Sequence, residues 1–370
     1  MNFEPTDERR MLAETLRRYL TDRYGADKAN AVAASEEGFD REVWSEMAEL
    51  GVIGALLPED AGGFGGHGFD LATVFEELGR RGVVEPFLET AVLGAGLVAD
   101  LGTEAQRATL EEVIAGTRHL ALAHGEPGSR YDLSRVTTRA EGGRIEGRKA
   151  VVANAEAASH LVVSAREAGA EDDGDGISLF LVARDAPGVT LRGYPLTGGG
   201  RAAEVTLEGA EGERLGPEGG AFPALEARAA AGNVALCAYA LGLMEAATEM
   251  TVGYLGQRTQ FGKPLASFQA LQHRVADMLI ELEQARSVVI LAAGHLADER
   301  ASRERHVSAA KNLVGRVGRL IAEESVQMHG GIGMTQEYAL AHLVKRLVLV
   351  DHRLGDTDHH LERFVALSAA

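Results

Sequence analysis

The stretch Tyr254-Leu-Gly-Gln-Arg-Thr-Gln-Phe-Gly-Lys-Pro-Leu-Ala-Ser-Phe-Gln-Ala-Leu-Gln272 decides how the chain is read. Apolar helical spacing runs into it as far as about Arg258. Gly262 and Pro264 then break the helix, and Ser267 stands where it caps a new one. Such a bend brings an Arg fork, an aromatic face and a helix N-terminus together, a combination suited to a phosphate-bearing ligand. A plain helix–turn–helix accounts for the glycine and the proline but not for the cluster Arg258-Thr-Gln-Phe261. A second stretch, Gln327-Met-His-Gly-Gly-Ile-Gly-Met334, ends a later helical stripe with bare backbone at three glycines. There a ligand can come close with no Cβ in its way; a helix C-cap needs only one glycine.

Outward from these stretches the texture changes twice. Residues 1–118 are mostly helical: Arg10–Leu20 and Arg41–Leu50 carry apolar residues at three- and four-residue spacings. Leu71–Leu78 continues with Glu76 and Glu77 on its polar side, and Ala91–Leu101 is nearly all apolar. Residues 119–217 hold short β-branched or alternating runs at Val151–Val152, His160–Arg166, Ile177–Arg184, Val189–Leu196 and Ala203–Leu207, which predict a small antiparallel sheet or barrel. Residues 218–370 return to helix. Phe268, Leu271, Val275, Met278, Leu282, Ala285, Val289, Ala292 and Leu296 form one stripe, and Val307, Ala310, Val314, Val317 and Ile321 form another. Long helices with narrow seams pack side by side. The fold class expected is therefore α+β and multi-domain: an N-terminal all-α domain, a middle antiparallel β-barrel-like domain and a C-terminal four-helix bundle.

The chain has 370 residues, 55 acidic against 37 basic, for a net charge of −18. That balance argues against nucleic acid or an anionic membrane as the main partner, since both need a basic face. The single cysteine, Cys237, excludes an intramolecular disulfide and any cysteine-built metal site, and its apolar surroundings make it a buried small hydrophobe. The start, MNFEPTDERR, is acidic and polar where a secretion signal is basic and then apolar. No apolar run approaches the roughly 20 residues of a membrane span. These features place the protein in the cytoplasm, with no membrane insertion.

Other patterns fail on their context. Gly63-Phe-Gly-Gly-His-Gly68 satisfies the dinucleotide-binding G-x-G-x-x-G after the apolar Val52–Leu57, but Pro58-Glu-Asp60 puts two carboxylates where a pyrophosphate would sit. Glu171-Asp-Asp-Gly-Asp-Gly176 opens like a calcium loop, yet Val182 occupies the twelfth position, where a bidentate Glu is needed; it reads as a solvated loop. His352, His359 and His360 read as solvent-facing helical histidines, so no metal is expected.

Tyr254–Met278 and Gln327–Met334, in that order, resemble the acyl-CoA dehydrogenase family, as do Pro58–Gly66 and Val74–Leu78. The resemblance covers nearly the whole chain. It implies an FAD enzyme of fatty-acyl metabolism, of the fatty acid β-oxidation type, that removes the α-proton and β-hydride of an acyl-CoA thioester to give a 2-enoyl-CoA. Such proteins are dimers or tetramers with FAD across a subunit interface. Carried over, Arg258 pairs with the FAD pyrophosphate, Phe261 packs on the cofactor and Gln269 hydrogen-bonds nearby. Gln327, His329, Gly330 and Gly331 cradle the adenosine–pyrophosphate end of the FAD held mainly by the neighbouring subunit.

The flavin-facing half departs from the family. Its Thr-Glu-Pro-Gly-x-Gly-Ser-Asp segment is represented here by Gly125-Glu-Pro-Gly-Ser-Arg130, losing the Thr and the Ser-Asp ending, and its Trp-Ile-Thr triplet by Val151-Val-Ala153. The family's catalytic Glu falls, counted from His329, on Leu354; the position used by a minority of members falls on Gly232. Neither accepts a proton. Asp356, Asp351 and Glu226 are the carboxylates within a register shift of those positions. The resemblance thus implies a non-catalytic subunit that supplies the FAD arm to a homologous acyl-CoA dehydrogenase chain in a hetero-oligomer. The alternatives are an active homodimer or tetramer with a relocated carboxylate, and a cofactor-free binding or structural homologue. Some heteromers of this family are similar to enzymes of bulky thioesters such as sterol side-chain derivatives.

Overall fold

A computed structural model of the chain describes residues 6–369. The acidic start at Met1–Pro5, on which part of the leader argument rests, lies outside the described residues, as does Ala370. From the N-terminus, α1 spans Asp7–Arg23, α2 Ala26–Ala33, α3 Arg41–Glu49, α4 Gly68–Arg81, α5 Gly96–Leu101, α6 Glu104–Ala108 and α7 Leu110–Ile114. Local chemistry sets their starts: Asp40 accepts from Glu42 N and Val43 N at the head of α3, and Thr103 with Gln106 forms a reciprocal capping box on α6. Two readings change here. The apolar Val52–Leu57 forms a 3-10 turn at Gly54–Leu56, so the glycine run after it does not follow the strand that a dinucleotide-binding loop requires. The apolar Ala91–Leu101 is a π-helical turn over Leu88–Ala95 continued by α5.

Eight strands follow: β1 Leu120–Ala123, β2 Arg139–Glu141, β3 Arg144–Ala153, β4 His160–Arg166, β5 Ile177–Ala183, β6 Val189–Pro195, β7 Arg201–Glu211 and β8 Glu213–Leu215. They pair in the order β6-β7-β3-β2-β4-β5-β8, with β1 beside β4. The pairing is antiparallel except for β1 with β4 and β2 with β4, which run parallel. The middle sheet is thus mixed at that point. Ala121, Ile145, Leu161, Val163, Phe180, Val182, Val205 and Leu207 form its core.

The rest is helical: α8 Phe222–Gln257, a small hairpin of β9 Thr259–Gln260 and β10 Lys263–Pro264, α9 Gln269–Gly294, α10 Arg300–His329, α11 Ala339–Asp351 and α12 Thr357–Ala369. By length and composition α8 could cross a membrane, but the apolar window that qualifies is 89% buried within the protein. It is a core helix, and Cys237 on it is 1% exposed, its thiol pushed up to about 12 by burial.

Contacts divide the chain into two compact units. One comprises residues up to 31, 68–83 and 233 onward; the other comprises 32–67 and 84–232. In the first, Glu77 is 3% exposed rather than on a solvated face. It pairs with Arg17 of α1 (2.5 Å), while Arg80 and Arg286 converge on Glu76 (3.1 and 3.3 Å) and on Glu245. The polar side of α4 therefore faces α1, α8 and α9. In the second unit Arg166, 1% exposed, donates to the carbonyls of Ser134, Val136, Glu171, Asp173 and Asp175, which fastens the acidic loop whose carboxylates stay outside.

Candidate cofactor arm and base position

The α8–α9 bend is held by the main chain. Arg258 N donates to Tyr254 O (2.8 Å) and Leu265 N to Arg258 O (2.8 Å), closing the hairpin. Ser267 is not the cap expected from the sequence: it belongs to a 3-10 turn, Leu265–Ser267, and its hydroxyl donates to Pro264 O at 2.7 Å. The α9 helix begins at Gln269 with no side-chain cap, so its first N–H groups have no side-chain acceptor.

On this bend the side chains stand outward. The Arg258 guanidinium is exposed and makes no hydrogen bond or ion pair among the described residues. Phe261 is 89% exposed with φ +54, a left-handed conformation that a bulky residue rarely adopts. Its ring meets Phe268 edge-on at 6.1 Å, and Lys263 Nζ lies 4.2 Å from the centre of the Phe268 ring. Gln269 is exposed at the first turn of α9.

The second stretch meets the first through aromatic stacking. His329, at the end of α10, stacks on Tyr254 (4.5 Å between centroids, 24°) and packs against Tyr338 (5.3 Å). Its Nδ1 donates to Ser325 O at 2.8 Å, leaving the lone pair on Nε2, which is buried and has no partner. Burial lowers the pKa of this imidazole, against a smaller opposing effect of its bond to Ser325 O. Gly330 follows with φ +68 and ψ −148, a region essentially reserved for glycine, and Gly330 and Gly331 both face open space. Gln327 is exposed. A free guanidinium, an orphaned buried acceptor, a bare two-glycine backbone and an exposed aromatic are a donor and acceptor set that fits a phosphate-bearing, ring-containing ligand.

The two positions at which the resemblance leads one to expect the base are different. Leu354 lies between α11 and α12 with φ +54, half-buried, and Gly232 lies within α8. Asn233, the residue after Gly232, donates from Nδ2 to Leu354 O at 3.2 Å, so the neighbour of one alternative base position is tied to the other. The nearby carboxylates already have structural tasks. Asp356 Oδ1 accepts from His359 N (2.9 Å), at the head of α12, and Asp351 Oδ1 accepts from Thr357 Oγ1 (2.8 Å). Glu226 is 1% exposed on α8. Of the three C-terminal histidines only His352 is open to solvent; His360 is 3% exposed, its Nε2 donating to Leu354 O at 3.0 Å. Among the described residues no group of three or more metal-ligating side chains is assembled.

In the second unit the segments around Gly125–Arg130 and Val151–Ala153 lie beside a buried charge pair. Lys149 Nζ donates to Glu126 Oε1 (2.6 Å), Ser164 Oγ (3.0 Å) and His124 O (3.2 Å), and Glu126 also accepts from the main-chain N–H of Thr137 and Thr138. Burial alone would raise the Glu126 carboxyl, but the Lys149 charge and these hydrogen bonds outweigh it and hold it down to about 2. Burial pushes Lys149 down to about 8 and His124 down to about 3. A bulge between Lys149 and Val152 shifts the strand register, so Val151 turns outward, 60% exposed at φ +53. Counted through the eight-residue pattern from Gly125, Asp132 stands at its final Asp. That ending is not wholly lost, and the carboxylate accepts from Ser134 N at 2.9 Å.

Sequence reasoning missed Lys149, Lys311, Asn233 and His360. A signal for Lys311 was present: it falls at a core position of the α10 stripe, one turn from Val307. For Lys149 the signal was strand alternation with Ile145, two pairs of residues back.

Three family models match along the chain: the acyl-CoA dehydrogenase N-terminal domain at residues 6–117, the middle domain at 121–208 and the C-terminal domain at 222–363. The probable acyl-CoA dehydrogenase YngJ of Bacillus subtilis (strain 168) is 30% identical over 378 residues, covering 99% of this chain and 98% of that one. Among solved structures, a variant of the Tcur3481-Tcur3483 steroid ACAD aligns with a TM-score of 0.88 at 33% identity, covering 98% of each chain. The ChsE4-ChsE5 complex from Mycobacterium tuberculosis aligns at 0.89 and 26% identity, covering 100% and 99%. The chain belongs to the acyl-CoA dehydrogenase family, a family of FAD-dependent oxidoreductases with helical N-terminal, β middle and helical C-terminal domains.

Proposed function

We propose that this chain is the base-less subunit of a hetero-oligomeric acyl-CoA dehydrogenase, lending its Arg258 arm to FAD held on a homologous partner. One observation supports the reading: an outward-facing Arg258 and Phe261 beside the bare Gly330–Gly331 backbone coexist with a leucine where the resemblance places the base. Bound FAD would supply the acceptor for the hydride that leaves the β-carbon of the thioester. Arg258 then offers its planar fork to phosphate oxygens, Phe261 offers its exposed ring, and Gln269, Gln327 and His329 Nε2 supply polar contacts beside the bare Gly330–Gly331 backbone. Leu354 can neither take nor give the α-proton, so proton transfer falls to the partner. Two of the aligned structures carry names that pair two chains, which supports a paired assembly. A boundary near residue 118 and another near 217, and a cytoplasmic setting, are parts of the same proposal.

The test is the visible absorption spectrum. The chain purified alone is expected to be folded and colourless, and mixing it with a partner that lacks its own arm restores flavin binding. Arg258→Ala should strip flavin from the mixed complex, while Asp356→Asn leaves turnover within about twofold once folding is matched. A yellow, active chain on its own that loses turnover by orders of magnitude on Asp356→Asn would establish the homo-oligomer instead.

A further inference from the structure

The connection between α11 and α12 is built as a mount. Lys311 leaves α10 fully buried and donates to three main-chain carbonyls, Val350 O at 3.1 Å, Asp351 O at 3.0 Å and Gly355 O at 2.6 Å. An ammonium has three N–H groups, so the set is complete. Leu354 O accepts from Asn233 Nδ2 and from His360 Nε2, and His360 Nδ1 accepts from Ser308 Oγ at 3.3 Å. Between these ties Leu354 keeps φ +54, a conformation that costs a residue with a Cβ about 1–2 kcal/mol. Gly355 continues at φ +110, where any Cβ would collide with His360. A short link between two helices needs neither a buried ammonium nor a strained leucine. Strained residues persist where the surroundings over-determine them, and they gather at functional positions.

We propose that Lys311, Asn233 and His360 are positioning residues for the side chain of residue 354, holding its backbone in one conformation so that whatever side chain stands there points in one fixed direction. Leu354 is then the single residue by which this chain gives up proton transfer while keeping the support for it. This rests on the preceding reading only in taking 354 as the base position.

The groups facing the Lys311 ammonium are Cys237 from α8, Asp351, Arg353 and Asp356 from the segment itself, and His360 from α12. Burial pushes Lys311 down to about 8, against the opposing pull of Cys237 and Asp351. Above that pH the neutral amine has two N–H groups for three carbonyls, and one tie is lost. The global effect has the opposite sign. The folded value lies below the unfolded one, so unfolding takes up a proton between about pH 8 and 10.5, and this group's contribution to stability rises across that window. Local loosening is therefore separable from global unfolding.

Arg353 is exposed beside the mount, and native-state trypsin cleavage after it reports opening of the segment. The experiment is limited proteolysis of the full chain with mass spectrometry, scoring cleavage after Arg353 relative to cleavage after Arg258 on the hairpin. In the wild-type protein the ratio should rise several-fold from pH 7 to pH 9.5. In Lys311→Met it should be about tenfold higher already at pH 7 and independent of pH, and Asn233→Ala should raise it less while keeping the pH dependence. If Lys311→Met does not fold, the wild-type pH profile and Asn233→Ala carry the test. A ratio flat with pH in the wild type, or unchanged by Asn233→Ala, overturns the proposal. No flavin, thioester or partner takes part, so its failure leaves the arm reading untouched, and failure of the flavin test leaves the mount standing.

Discussion

Phe261 and Leu354 share a positive φ of +54 in opposite settings. Phe261 is 89% exposed on a hairpin closed by a few main-chain bonds, with one edge contact to Phe268. Leu354 is held through its carbonyl by Asn233 and His360, and its neighbour Gly355 is held by Lys311, all of them buried. The first strain sits at the surface, on the arm proposed above to pack on a cofactor. The second is met inside the chain. A contact site for another molecule and an over-determined internal position can thus share one torsion and be told apart by burial and by the number of ties.

The largest expected difference between the two regions is in stability. Lys311→Met removes the ammonium from three carbonyls, of which Val350 O keeps a main-chain donor in Arg353 N, and should cost about 2–4 kcal/mol, whereas Arg258→Ala should stay within about 0.5 kcal/mol, both read from denaturant unfolding of the chain alone. Equal losses would erase the distinction between an internal mount and an external arm.

Acid unfolding sharpens it next. Buried His360 and His124 are held down to about 3 and His119 to about 4, so unfolding takes up protons as the pH falls below 6.5. Each contributes a loss of about 1.4 kcal/mol per pH unit until its folded value is reached. His360→Asn should remove one such increment from the slope of unfolding free energy against pH between 6 and 4. Glu126 acts lower down. Its folded value near 2 lies below the unfolded 4.5, so the stability it lends is present above 4.5 and disappears as the pH falls toward 2.

The smallest effect is the most specific. Leu354→Gly and Phe261→Gly each release left-handed strain and should raise the chain's own stability by about 1 kcal/mol. Only Phe261→Gly should weaken flavin retention in the mixed complex. A loss of flavin on Leu354→Gly, measured by absorbance after gel filtration, would tie the two regions together.

Much of the fold was legible because periodicity survives translation into structure. The run His160–Arg166 is β4 residue for residue, and the two apolar stripes became α9 and α10. Where the reading slipped, a competing local interaction had won. Ser267 spent its hydroxyl on Pro264 O instead of capping α9, and the bulge after Lys149 turned Val151 out of the core. His360 was read as solvent-facing because helical position alone does not say which face a neighbouring loop covers.

By itself the sequence determined which side chains this protein can offer: an arginine and an aromatic at a helix break, bare glycines after His329, and a leucine at position 354, where the family resemblance leads one to expect a carboxylate. Those are properties of side chains, and folding does not change a leucine into a base. Only the tertiary structure decided which charges are buried and what they hold. Lys149 and Lys311 lie far in sequence from Glu126 and from the carbonyls near Leu354, and only packing brings an ammonium within 3 Å of its partners. Taking such a charge out of water is unfavourable unless all its donors are met, and that condition is satisfied by the folded chain and by no local segment of it.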